Sequence, residues 1–263
     1  DTMEWACQQP WSNGRLALVG FSASAIMVYN SLHQELPCLQ AMVLKSGTFE
    51  LYRDLLWPGG VSNLLPGAGV LAMIGAPAVI QGLDRLLRNP LSSLGVLTGL
   101  AQSGLAAGLT RSTQDAWWRE RGFRGDANKV PVLVVNGFFD VESRGAFQGF
   151  QQFAPYGGHL LVTGAHDGSP AGTDGGLAEQ HAWLDHYLRD VDNGVQAHPV
   201  VQGWLPEGSR QSFLAGDYTS FSSDTWPLRG TRRSSLFLDS KRSGSALSLN
   251  DGSLSLTPSA TPA

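Results

Sequence analysis

Long apolar runs are missing from this chain: no stretch of about 18 apolar residues is available to span a bilayer. Residues 67–80, GAGVLAMIGAPAVI, come nearest, and their Gly and Pro breaks mark a buried or cleft-lining helix instead. Basic runs are as scarce. Nothing longer than a pair such as Arg232-Arg233 occurs, and 22 acidic against 18 basic residues leave a formal charge of −4. Nucleic acid or an anionic membrane is therefore not expected as the main partner. Only two cysteines, Cys7 and Cys38, are present. They fit no metal spacing and allow either two thiols or one disulfide; buried thiols are the plainer expectation, since only an oxidising compartment favours the pair. Phosphate loops, dinucleotide fingerprints, cysteine clusters and internal repeats are lacking too, so neither a cofactor nor a metal is expected. The opening DTMEWACQQPWSNGR has neither the basic start nor the apolar core of a signal peptide, and localisation stays unknown.

What is present is a 42% hydrophobic content over 263 residues, enough to bury a large core in one or two domains. RLALVG and CLQAMVLKSG are short apolar runs of the kind found in strands buried on both faces. Between them Ile26, Val28, Tyr29 and Leu32 have helical spacing, stopped by Pro37. Strand, helix and strand within about forty residues make the unit of a parallel sheet. From 48 to 128 Gly, Leu and Ala dominate with helical spacing, which predicts an inserted helical region. VPVLVVNGFFD and HLLVTGAHDG resume the sheet, and GLAEQHAWLDHYLRD is an amphipathic helix. Residues 199–263 alternate polar and apolar and predict short antiparallel strands, with a frayed tail.

Ser22 lies in GFSAS, after a strand and at the start of a helix, the setting a nucleophile elbow needs. Small neighbours permit a strained turn that lifts the hydroxyl above the sheet edge. The helix start aims backbone N–H groups at the same point. A tight turn alone would also select such residues, so the test is whether an acid and a His follow at strand ends. Asp140 ends PVLVVNGFFD, where catalytic groups collect in open parallel sheets, although it can also cap the helix that begins after it. His166 ends LLVTGAH, the next strand. Three residues at three strand tips in the order Ser, Asp, His favour catalysis over three separate structural roles.

Other candidates fit less well. Asp167 adjoins His166 too closely in the chain to orient its ring. His181 and His186 share no helix face, which suits no zinc pair. His159 belongs at the opposite sheet end, and His33 and His198 have no acidic or nucleophilic neighbour in sequence. Glu179 with Asp185, and Asp224 with Asp239, have no spacing suited to a carboxylate pair.

DTMEWACQQPWSNGRLALVGFSAS resembles the block leading into the nucleophile of the cocaine-esterase and X-Pro dipeptidyl-peptidase (CocE/NonD) family of α/β-hydrolases, where E-W-x-x-x-Q-P-W-x-[ND]-G-[RK] precedes G-x-S-Y-x-G. DAWWRERGFRGDANKVPVLVVNGFFD is similar to that family's return from cap to sheet, HLLVTGAHDG to the place of its His, and FSSDTWPL with SSLFLD to the entry of its jelly roll. The resemblance implies Ser22 as nucleophile, Asp140 as the acid orienting the imidazole, His166 as general base and the Ala23 backbone N–H as one oxyanion-hole donor. It implies hydrolysis of esters, amides or X-Pro peptides through an acyl-enzyme. Ala23 and Ser24 depart from the usual Tyr and later Gly of the elbow. The family's preceding strands and its oxyanion Tyr lie upstream of the point where this sequence starts, so a truncated chain is expected, with a complementing N-terminal segment or a homo-oligomer as partner.

The expected fold is thus an α/β-hydrolase core with a mostly parallel sheet and an incomplete N-terminal half (1–47 and 129–194), a helical cap (48–128) and the start of a C-terminal β-sandwich or jelly roll (195–263). The expected function is serine-dependent hydrolysis of a small-molecule or peptide acyl substrate. The rivals are an X-Pro dipeptidyl-peptidase, for which Glu50 and Asp54 are the candidate anchors of a substrate amino terminus, and a non-catalytic binding chain.

Overall fold

The computed structural model describes residues 2–64, 88, 108, 110–165, 169–239 and 253–258. The segment expected as a buried helix at 67–80 and most of the expected cap lie outside the described residues. So does His166. Two compact units are present, residues 1–224 and 225–263.

The first unit is built on a six-stranded sheet in the order β1 (Leu16–Phe21), β2 (Leu39–Lys45), β3 (Val132–Phe139), β4 (His159–Ala165), β5 (Val201–Pro206) and β6 (Tyr218–Ser223). The first five strands run parallel and β6 returns antiparallel. α1 (Thr2–Cys7) precedes β1; parallel neighbours need crossovers, and the chain supplies helices there, α2 (Ala23–Ser31), α3 (Ala116–Arg119), α4 (Ser143–Phe153) and α5 (Leu177–Arg189), while α6 (Arg210–Leu214) lies in the antiparallel connection from β5 to β6.

The apolar runs of β2 and β3 follow from burial on both faces. On one face Ala41, Val43, Leu133, Val135 and Leu161 form a cluster with Trp183 of α5 and Val195. On the other, the alternate residues Met42, Leu44, Val132, Val134, Leu160 and Val162 are equally buried. Packing of α2 on β1 and β2, and of α4 on β3 and β4, supplies that cover. Tyr29 of α2 stacks on Phe153 of α4 at 5.8 Å between ring centroids, which ties the two helices together. β1 is the outer strand, and its Val19 and Phe21 are exposed.

Two expectations change. β5 and β6 extend the main sheet, so the first compact unit runs past the boundary expected at 195 to residue 224. Polar-apolar alternation marks any half-buried antiparallel strand, and it does not say which sheet the strand joins. Beyond that point the described strands are β7 (Phe237–Asp239) and β8 (Ser253–Ser255), paired antiparallel; the start of a jelly roll is not confirmed by them. The cysteines also differ from the plainer expectation. Cys7 and Cys38 form a disulfide across a Cα–Cα distance of 6.2 Å, within bridging range, because α1 lies beside the loop that enters β2.

Candidate active site

Ser22 follows the last residue of β1 and precedes the first of α2. Its backbone sits at φ 54°, ψ −123°, a region costly for any residue with a Cβ and retained only where the surroundings enforce it. Those surroundings are specific. The Ser22 N–H donates to the carbonyl of Lys45 at 2.9 Å, and the Ser22 carbonyl accepts from the Ile26 N–H at 3.1 Å. A Cβ on Gly20 would lie 2.6 Å from both Cα and N of Ala25, so only glycine lets α2 fold back this tightly onto β1. On Gly47, in the loop after β2, a Cβ would stand 2.5 Å from the Ala25 Cβ and 3.2 Å from the Ser22 carbonyl oxygen. The small residue the turn needs is therefore Ala25. Ser24, expected in that role, is exposed and constrains nothing. The Ser22 side chain makes no capping bond to α2. As the first residue of α2, Ala23 has a backbone N–H with no acceptor inside the helix, available to an oxyanion.

Asp140 directly follows β3 and is buried. Its Oδ1 accepts the N–H of Glu142 at 2.9 Å, which fixes the carboxylate against its own loop. The residue at the cap position of α4 is Glu142, which makes no side-chain cap; the bond from the Glu142 N–H gives Asp140 a capping role in the turn that enters the helix, so that alternative stands beside the catalytic one. Because β1 to β4 are parallel, the tips that carry Ser22 and Asp140 share one sheet edge, with β2 between them. β4 ends at Ala165 on the same edge; His166 itself lies outside the described residues, as does Asp167.

A cluster that the sequence reading missed packs behind Asp140. Glu142 is buried, and its Oε2 has no hydrogen-bond partner among the described residues. Burial and then the charge of Asp140 push the Glu142 carboxyl up to about 8; the Thr48 backbone N–H opposes this and the charge of Asp54 adds to it. Asp54 is buried, accepts the Thr48 hydroxyl at 2.7 Å and forms an ion pair with Arg144 of α4. The hydroxyl of Tyr29 is buried without a partner among the described residues, and burial, with the charge of Glu142, holds it well above the usual tyrosine range. The signal was present in D-V-E-S-R, two further charged residues directly after a buried strand tip.

The remaining candidates occupy structural places. Glu50 accepts from the Gln114 amide at 3.0 Å. His159 is buried at the start of β4, at the far end of the sheet, against Trp183 at 5.1 Å; burial holds its imidazole below the usual value. His198, which has no acidic neighbour in sequence, faces Glu179 at 2.8 Å. Asp185 pairs with Arg189, and the His33 ring with the carbonyl of Asn30. His181 is exposed and His186 meets the Val191 carbonyl. Among the described residues no three His, Cys, Asp or Glu side chains gather to hold a metal, and no helix is long and apolar enough to cross a membrane.

Residues 1–168 match the family model described as X-Pro dipeptidyl-peptidase (S15 family). Among solved structures, the chain is similar to a CocE/NonD family hydrolase from Staphylococcus aureus, with 22% identity and a TM-score of 0.61 over 91% of this chain and 40% of that one. It is also similar to an aminopeptidase from a marine sediment Thaumarchaeota archaeon, with 18% identity and a TM-score of 0.60 over 90% and 47% of the two chains. An α-amino acid ester hydrolase gives 17% identity and a TM-score of 0.61 over 100% and 46%. At these identities the likeness is one of fold, and the chain spans less than half the length of each solved relative. A search of curated protein sequences gives no significant match.

Proposed function

Because the chain belongs to the X-Pro dipeptidyl-peptidase (S15) family of hydrolases, we propose that it works as a serine hydrolase that cleaves ester or amide bonds, with Ser22, Asp140 and His166 as its triad. The observation that carries the reading is the backbone of Ser22. A half-buried serine held at φ 54°, ψ −123° by a glycine on each side of Ala25 is a strained arrangement with no structural return, since the side chain caps nothing.

In this reading the Ser22 Oγ attacks the substrate carbonyl carbon while the His166 imidazole takes its proton. The resulting oxyanion is held by the Ala23 N–H at the start of α2. Collapse breaks the bond to the leaving group, which receives the proton from His166 and departs. Water, deprotonated by the same imidazole, then releases the acid and restores the serine. Asp140, anchored through the Glu142 N–H, holds the imidazole tautomer and offsets its positive charge. Ester and amide acyl donors both fit. Of the two carboxylates expected to anchor a substrate amino terminus, Asp54 is neutralised by Arg144 and Glu50 is hydrogen-bonded to Gln114. That favours acyl hydrolysis over an X-Pro dipeptidyl-peptidase that relies on those two residues.

A fluorophosphonate probe tests this directly. It should label the full-length protein at Ser22, as read by peptide mass mapping, and Ser22→Ala should abolish both labelling and ester hydrolysis. Labelling that survives the substitution overturns the assignment and leaves the non-catalytic reading in its place.

A further inference from the structure

The turn that carries Asp140 joins the end of β3 at Phe139 to the start of α4 at Ser143, so its place depends on the sheet at one end and on the seat of α4 at the other. Gly145, in the first turn of α4, is where that seat closes. Glycine is disfavoured inside a helix relative to alanine, yet a Cβ here would overlap the Thr48 hydroxyl oxygen and the Asp54 Oδ2. Neither group has room to retreat. Thr48 is fully buried, and its hydroxyl accepts the Glu50 N–H at 3.0 Å while donating to the Asp54 Oδ2 at 2.7 Å. Just before it, the Ser46 N–H donates to the Val135 carbonyl at 2.9 Å, which fixes this stretch to the sheet. The Asp54 side chain, in the turn Tyr52–Leu56, is fully buried, and its Oδ1 pairs with Arg144, the neighbour of Gly145 on α4. One carboxylate thus has one oxygen on the sheet-bound Thr48 and the other on the first turn of the helix that follows Asp140. A buried ion pair is a weak source of stability, because desolvation offsets most of the attraction, but it fixes the mutual placement of the segments it joins.

We propose that Asp54 is a positioning residue for Asp140: its carboxylate, braced on Thr48, seats the first turn of α4 and so sets where the turn of the triad acid stands relative to the imidazole. This rests on the reading of Asp140 as that acid. Asp54 acts through α4 and not on the substrate. Because the Thr48 side of the contact is tied to the sheet, a group that forces the contact open moves α4, and with it the turn from Asp140 to Glu142. The Glu142 N–H that holds the Asp140 Oδ1 belongs to that turn and shifts with it.

The test is a double-mutant cycle on kcat for hydrolysis of p-nitrophenyl acetate by the full-length protein, with circular dichroism checking the fold of each variant. Gly145→Ala changes no charge and forces α4 away from Thr48 and Asp54. It should lower kcat about 10- to 100-fold, the scale of a displaced catalytic group, while KM stays within about twofold. In the Asp140→Asn background the same change should cost almost nothing further, because its effect passes through the acid already removed. Asp54→Asn, which gives up the ion pair with Arg144, should show the same pattern, and it decides the matter alone if Gly145→Ala does not fold. The proposal is overturned if the folded variants keep the wild-type kcat, or if they lose as much in Asp140→Asn as in wild type; a merely structural contact gives one of those two results. Undiminished hydrolysis by Asp140→Asn instead removes the assignment of the acid, so the two failures separate.

Discussion

Replacing Ser22 by glycine should stabilise the protein while removing its activity, a combination that separates a functional strain from a merely tight turn. At φ 54°, ψ −123° the Cβ of residue 22 is the source of the strain, which costs about 1–3 kcal/mol in such regions. Glycine removes that cost and adds back about 0.5–1 kcal/mol of unfolded-chain entropy, for a net gain of about 1 kcal/mol. No cap is lost, because the Ser22 hydroxyl makes no hydrogen bond to α2. Ser22→Ala provides the control: it deletes the hydroxyl and keeps the Cβ, so it should unfold at the same urea concentration as wild type. Both variants should lose roughly 10⁶-fold in kcat, the scale of removing a triad nucleophile. Urea midpoints with unchanged m-values would report the difference, and a thermal midpoint about 2–4 °C above that of Ser22→Ala should accompany it. If Ser22→Gly is no more stable than Ser22→Ala, the elbow is not strained and the argument from its backbone fails.

The packing of the elbow predicts a compensating pair. Gly47→Ala alone should cost about 1–3 kcal/mol, since its Cβ would stand 2.5 Å from that of Ala25, and Ala25→Gly in the same chain should recover part of this in a double-mutant cycle. The Cys7–Cys38 bond closes a separation of 31 residues, worth about 4 kcal/mol in the chain-entropy account. α1 contains no buried residue to hold it otherwise, so reduction should lower the urea midpoint and bring fast amide exchange at residues 2–7. The Glu142 carboxyl has a folded value raised from 4.5 to about 8, so its contribution to stability is complete below 4.5 and is lost as pH rises towards 8. Stability in that window should decline by roughly 1.4 kcal/mol per pH unit at most from this group, and Glu142→Gln should flatten the decline.

The strand carrying Asp140 was legible because a strand buried on both faces leaves a continuous apolar run; β1, which leads to Ser22, carries the same run although its Val19 and Phe21 are exposed, and β1, β2, β3 and β4 each end where the run gives way to small or polar residues. Contacts between distant segments left no such trace. Arg144 and Asp54 are 90 residues apart, and nothing in either neighbourhood specifies the other. His198 and Glu179 meet only because β5 lies beside β4 and α5 packs over the sheet. The pairing of Cys7 with Cys38 depends on where α1 comes to rest, which no local pattern encodes. β5 and β6 misled for another reason: one face packed and one face open produces the same alternation in any sheet.

The elbow shows how a motif can shift while its physics holds. Ser24 is small enough for the turn, but an exposed serine there excludes little. The constraint falls one residue later, where the backbone of Ala25 meets Gly20 of β1, and the methyl group that a glycine would lack is accommodated by Gly47. The requirement is for one free methyl volume shared between α2 and the loop after β2, and it can be met by Gly and Ala in either order. LKSG, which sequence inspection treats only as the end of a strand, is therefore part of the support of Ser22: the Lys45 carbonyl accepts the Ser22 N–H, and Gly47 makes room for the helix that follows it.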